Sequence, residues 1–175
     1  MNNSNDFRPD YNGKYVSRVF RNREEADRAF AELESRGYTK DEINVMLSDK
    51  TRDTHFGDNA HDSDLGDKVA ENAGTGSMIG GGIGAVVGAI AAIGSNVIFP
   101  GLGLVVAGPL AAGLAGAGAG AATGGIIGAL TGAGVPEEEA NFYKDEVKEG
   151  GIYMGFQPRD EEEGRELYNR WYDVD

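Results

Sequence analysis

Between Asn72 and Val135 the chain carries no charged residue and no histidine, and it is built almost wholly from Gly, Ala, Val, Ile and Leu. Within that run small residues recur every four positions. Gly76, Gly80, Gly84 and Gly88, continued by Ala92, make a first ladder; Gly108, Ala112, Gly116, Gly120, Gly124, Gly128 and Gly132 make a second. Four residues advance an α-helix by about 40° beyond one full turn, so each ladder keeps to one face over a few turns. A helix face without side chains lets another backbone approach closely. The spacing therefore predicts two helices, over 74–95 and 108–132 with a lead-in from Leu102, with these glycines as the helix-packing residues. The break between the helices falls at 95–101, where Pro100 and Gly101 punctuate the run, and Pro109 suits a first helical turn.

The uncharged run sits between two acidic flanks, and the whole chain carries a net charge of −13. That balance argues against nucleic acid or an anionic lipid surface as an electrostatic partner. No cysteine is present, which removes disulfides, thiolate-bound zinc and a cysteine nucleophile. Met1 to Asp10 is polar and acidic and lacks the apolar segment of a cleavable signal, so entry into a membrane is expected only through the internal run.

The flanks read as ordinary globular sequence. Residues 1–13 are expected to be a disordered tail. Lys14 to Phe20 is β-branched and aromatic and predicts a strand. Asn22 with Glu25 three residues on is a capping box for a helix whose apolar face is Ala26, Ala29, Phe30 and Leu33, with Gly37 as its stop. Ile43, Val45 and Leu47 alternate on a second strand, so 14–48 is a strand–helix–strand unit expected to form a parallel sheet. Residues 49–71 are an acidic linker. After Pro136, three glutamates favour a helix start, and Ala140, Tyr143 and Val147 form its apolar face. Gly150 and Gly151 end it. Ile152, Met154 and Phe156 line one side of a third strand, and Asp160 with Glu163 boxes a last helix with Leu167, Tyr168, Trp171 and Tyr172 inward. Asp173 to Asp175 is expected to add a short final strand. Neither flank alone has enough apolar faces for a core. Together 14–48 and 136–175 predict an α+β fold, a split ferredoxin-like α/β sandwich with the glycine-zipper α-helical hairpin of 72–135 inserted.

Three blocks resemble a bacterial general-stress-protein family of the heat-induced and low-temperature-induced type. Val19 to Ala26 with Leu33, Gly37, Tyr38 and Ile43 to Val45 is similar to its N-terminal domain. Phe99 to Gly103 with Ala107 to Leu110 is similar to its glycine-zipper turn, and Gly134 to Ala140 with Gly150 to Ile152 to its C-terminal block. The chain departs from the pattern at Ile152 to Phe156, where relatives carry an alternating valine-rich strand, and in nearly stopping after its last helix. The resemblance implies a stress-linked role with no established chemistry.

Chemistry-bearing motifs are few. Gly80 to Ala85 contains GxGxxA, but no strand precedes it and no acid follows at the distance a ribose needs, and no GxxxxGK[ST] occurs. His55 and His61 lie among Asp58, Asp62, Asp64 and Asp67, without the spacing of a calcium loop. No histidine stands near a serine nucleophile. The expectation is a protein that is not an enzyme, with no cofactor and no metal, that forms homo-oligomers. Two environments suit the hairpin. In a bilayer it would give a membrane-associated protein with a cytoplasmic globular domain. In water it would be the core of a soluble cytoplasmic oligomer that binds a ligand or partner, because a lone uncharged hairpin cannot bury both its sides.

Overall fold

The computed structural model of the chain describes residues 8–48, 50–51, 97–99, 103–111 and 119–173. The elements are β1 (Val16–Phe20), α1 (Arg23–Ser35), a 3-10 turn (Lys40–Glu42), β2 (Ile43–Ser48), β3 (Val97–Phe99), β4 (Leu104–Ala107), α2 (Ala119–Gly132), α3 (Glu137–Lys148), β5 (Ile152–Phe156) and α4 (Glu161–Tyr172). The fold is mixed α/β. The strands make one five-stranded sheet in the order β1-β5-β2-β4-β3, and every neighbouring pair is antiparallel.

Local signals in the flanks account for most element ends. Asn22 Oδ1 accepts from the Glu25 amide at 2.8 Å and starts α1, and Gly37 ends it at φ +86. The Thr39 amide and hydroxyl both donate to Glu42 Oε2, at 2.8 and 2.9 Å, which turns the chain into β2. These bonds hold the Glu42 carboxyl below the usual carboxylate range. Asp160 Oδ1 accepts from the Glu163 amide at 2.8 Å and starts α4. The tail expected over 1–13 is packed from residue 8 onward, because Arg8, Pro9 and Tyr11 all find partners on α4.

β1 and β2 run parallel, as the strand–helix–strand unit requires, but they are not neighbours. β5 lies between them, antiparallel to both: Val16 pairs with Phe156 and Phe20 with Ile152 on one side, and Ile43 pairs with Phe156 and Met46 with Tyr153 on the other. The parallel pairing expected from sequence is thus replaced by a split unit whose gap is filled from the far end of the chain.

Side chains of the sheet alternate between two cores. Val16, Phe20, Ile43, Val45, Leu47, Val105, Ala107, Ile152, Met154 and Phe156 pack against Phe30 and Leu33 of α1 and Leu167 and Trp171 of α4. Met46, Leu104, Val106 and Tyr153 pack on the opposite face against Ile126, Ala129 and Leu130 of α2 and Ala140, Tyr143 and Val147 of α3. Helices therefore cover both faces. Each large apolar side chain fully buried in this way contributes about 1.5–3 kcal/mol.

The 72–135 run departs from the expected helical hairpin in two described places. Val97–Phe99 and Leu104–Ala107, read as part of a break and a helical lead-in, form the antiparallel β3–β4 pair, and β4 pairs with β2, Ser48 to Leu104 and Val45 to Ala107. Val, Ile, Phe and Leu favour a pleated surface, and a strand buried on both faces reads as a continuous apolar run. The second helix also does not run unbroken. Gly125, at φ +53 and ψ −142, is non-helical and kinks α2. The first helix, expected over 74–95, and the linker at 52–71 lie outside the described residues, as do Val174 and Asp175 of the expected final strand.

The glycine closing β4 is held by a close approach. Gly108 sits at φ +82, and a Cβ there would collide with the Ile43 carbonyl and come within 3.1 Å of Asn44 Cα. Gly108→Ala is expected to lower stability by about 3 kcal/mol or more, combining left-handed strain with overpacking. Chemical denaturation checks this: an unchanged midpoint would mean that the chain does not pass β2 this closely.

Candidate functional site

The strand pattern puts two unlike sets of residues on β1. Val16 and Phe20 enter the α1/α4 core, while Tyr15 and Val19 pack on the α2/α3 side. Ser17 shares that second face. β1 is an edge strand, and an edge presents unpaired backbone groups. Here two tyrosines from opposite helical layers close over it. Tyr172 of α4 donates to the Ser17 carbonyl at 2.6 Å, and Tyr143 of α3 donates to the same oxygen at 3.3 Å. Ser17 Oγ donates to Tyr143 Oη at 3.2 Å, and the two tyrosine hydroxyls are 3.4 Å apart. α3 and α4 cover different faces, so this clasp ties both layers to the edge at one carbonyl.

A second polar group lies deeper. Asn44 of β2, buried, donates from Nδ2 to Tyr15 Oη at 2.8 Å, and its Oδ1 accepts from the Leu110 amide at 2.7 Å. One side chain thereby links β1 to the chain leaving β4. Tyr15 and Tyr153 bring their hydroxyls over Gly155, where a Cβ would lie 2.7 Å from each. Burial pushes the Tyr15 phenol up to about 12. Burial, reinforced by Tyr15, raises Tyr153 well above its ordinary value. Burial likewise raises Tyr143 and Tyr172, the latter helped by the neighbouring Tyr143. These phenols stay protonated at physiological pH, and Tyr143 and Tyr172 act as hydrogen-bond donors.

Beside the clasp is a cleft of about 10 Å³, bordered by Asp10, Tyr11, Tyr15, Ser17, Glu139 and Tyr168, which is room for a single water. Glu139 is its unusual group. Burial, with the Asp10 charge next to it, raises its carboxyl from 4.5 to about 7.

The predicted helix-packing glycines divide. Gly76, Gly80, Gly84, Gly88 and Gly116 lie outside the described residues. Gly120 is in the first turn of α2. Gly108 is not on a helix face but in the tight passage after β4. Gly124, Gly128 and Gly132 are exposed on α2, and among the described residues a Cβ built on any of them meets nothing within 4 Å. Ile126, Ala129 and Leu130 point the other way, into the core. The kink at Gly125 divides α2, with Gly120 and Gly124 before it and Gly128 and Gly132 in the regular stretch after it.

His55 and His61 lie outside the described residues. Among the described residues no group of three His, Asp or Glu is placed to hold a metal ion, and no helix is long and apolar enough to cross a membrane. The tyrosine clasp was not legible in the sequence, which placed only Tyr143, Tyr168 and Tyr172 on core faces. The available signal was a serine at an inward position of β1 and a tyrosine at each of 15 and 153, on the strand faces opposite the apolar ones. Comparison with known proteins adds no relative: no family model, no curated protein and no solved structure matches the chain.

The clasp has redundant donors. Tyr143→Phe or Tyr172→Phe alone leaves the Ser17 carbonyl one partner, and each is expected to cost about 1 kcal/mol. The double variant strands that carbonyl and is expected to cost more than the sum by about 1 kcal/mol. Strict additivity in urea denaturation would show that the two hydroxyls do not share an acceptor.

Proposed function

We propose that this chain is a non-enzymatic general stress-response protein that self-assembles through a glycine-lined helix face and associates with membranes by way of its 72–135 insert. Its globular part is read as a split ferredoxin-like domain. The parallel β1 and β2 with β5 between them, and α1 and α4 on one face, support that reading. The stress-linked role rests on the resemblance of the three sequence blocks.

The observation that carries the assembly is the bare face of α2. Gly128 and Gly132 are exposed with no described residue near them, in one regular stretch of a helix whose apolar residues are already used inward. Glycine in a helix interior costs roughly 0.5–1 kcal/mol relative to alanine. Repeated along one helical stretch with no neighbour among the described residues, it is the pattern that close backbone packing between helices needs.

A second reading keeps the assembly and drops the bilayer. α2 has 14 residues, about 21 Å at 1.5 Å per residue against roughly 30 Å of hydrocarbon. Its exposed positions Gly124, Gly128, Thr131 and Gly132 offer little apolar area to drive insertion. On this reading the protein is a soluble oligomeric module that binds a ligand or partner.

Membrane flotation with sizing in and out of detergent separates the two. Recovery in the floated fraction is expected for the membrane-associated protein, and a defined detergent-free oligomer for the soluble one. Gly128→Ala is expected to raise the stability of the isolated subunit by about 0.5–1 kcal/mol, because the position is helical and open, while weakening assembly. Gly128→Leu is expected to abolish assembly with the fold retained. If both variants keep the wild-type size and fractionation, the assembly reading fails.

A further inference from the structure

Residues 8–12 cross the molecule before β1 begins and touch both helical layers. On the α4 side they are latched. Arg8 pairs with Asp173 and donates to Asn169 Oδ1 at 3.1 Å and to Tyr168 Oη at 3.2 Å. Tyr168 donates to the Pro9 carbonyl, and the Tyr11 and Tyr168 rings lie 5.6 Å apart. Tyr11 also occupies the space that a side chain at Gly164 would need. On the α3 side the same residues form one wall of the water-sized cleft, and the first turn of α3 forms the other.

The two ends are electrostatically unlike. The α4 end joins a guanidinium to a carboxylate and two neutral acceptors. The α3 end sets Asp10 beside Glu139, and among the described residues no Lys or Arg borders the cleft. The other groups facing Glu139 are Tyr11 of the segment, Tyr15 and Ser17 of β1, Tyr168 of α4, and Tyr143 on its own helix. Burial raises Tyr11, Tyr15 and Tyr143, so none of these three ionises near neutrality. The charge of the α3 end is therefore set by the two carboxyl groups.

We propose that residues 8–12 form a proton-gated strap: with Glu139 protonated they close over the cleft, and with Glu139 ionised the repulsion of Asp10 frees that end and uncovers Tyr15 and Ser17. The direction follows from linkage. Burial and Asp10 hold the Glu139 carboxyl above its ordinary 4.5, at about 7. Its contribution to the closed state is thus complete below pH 4.5 and is lost as the pH rises through about 7. The strap is shut in mildly acidic solution and loosened in mildly alkaline solution, across a range in which carboxylates of ordinary pKa have already titrated.

Amide hydrogen exchange on the full chain tests this, with wild type and Glu139→Gln compared at the same pH so that intrinsic exchange cancels. At pH 5.5 the amides of residues 10–14 are expected to exchange equally in the two proteins. At pH 8.5 they are expected to exchange about fivefold faster in wild type, and Asp10→Asn is expected to behave like Glu139→Gln. A wild-type to variant ratio near one at both pH values overturns the strap. Carbon-13 titration of the Glu139 carboxyl in the wild-type protein gives an independent reading. A midpoint near 7 that falls in Asp10→Asn supports the gate, and an ordinary glutamate midpoint overturns it whatever the variants do.

Discussion

β5 is the strand on which the fold depends. Its residues Ile152–Phe156 pair with β1 on one side and β2 on the other, and all of them are buried. Without it β1 and β2 are two parallel strands separated by an empty position, with no ladder between them. The first 48 residues therefore cannot complete a sheet until the chain has run past residue 150. Every pairing of β5 closes a loop of over a hundred residues. Such non-local contacts cost loop entropy before they return any stabilisation, and they slow folding. The β3–β4 hairpin reduces that burden, because β4 joins the free side of β2 with a shorter loop.

Putting β5 in the middle also dictates the helices. A central strand has both faces to bury, and two layers are needed. α1 and α4 supply one and α2 and α3 the other. α2 belongs to the uncharged run, so this part of the run is structurally part of the domain and covers a face that the flanks leave open. Asn44 fixes the join. A buried amide that satisfies both the Leu110 amide and the Tyr15 hydroxyl admits only one register of the chain leaving β4 against β2. Sliding the hairpin would leave the Leu110 amide and Asn44 Oδ1 unpaired in a low-dielectric interior, where each costs about 1–3 kcal/mol.

What the sequence made legible follows the same division. Caps are local: Asn22 with Glu25, Thr39 with Glu42, and Asp160 with Glu163 each declare a boundary within four residues, and the structure has all three. The inward faces of α1, α3 and α4 were readable from helical spacing, because each helix has one buried side. The strands were read as one-sided, and there the reading fell short. Ile152, Met154 and Phe156 showed one core, while Tyr153 and Met46, which build the other, looked outward. Leu104 to Ala107 was illegible as strand because residues buried on both faces show neither period. The clasp was hidden for a different reason. Ser17, Tyr143 and Tyr172 are far apart in the chain, and only the placement of β5 brings α3 and α4 around the same edge.

The glycine ladders show that one spacing can conceal several physical causes. Gly108 is where it is because the chain passes the Ile43 carbonyl too closely for a Cβ and in a left-handed conformation. Gly125 breaks α2 and turns it over the sheet. Neither position concerns a helix face, although Gly108 continues the period of four. Gly128 and Gly132 are the opposite case: regular helix, exposed, and no described residue within reach of an added methyl group. Alanine would serve the single chain better there by roughly 0.5–1 kcal/mol per position. Ile126 and Leu130 on the same helix are fully engaged with the core, so the bare face is not there for want of apolar residues. A face kept free of side chains against the interest of its own helix is accounted for by the approach of another backbone, and that approach comes from outside the described contacts of α2.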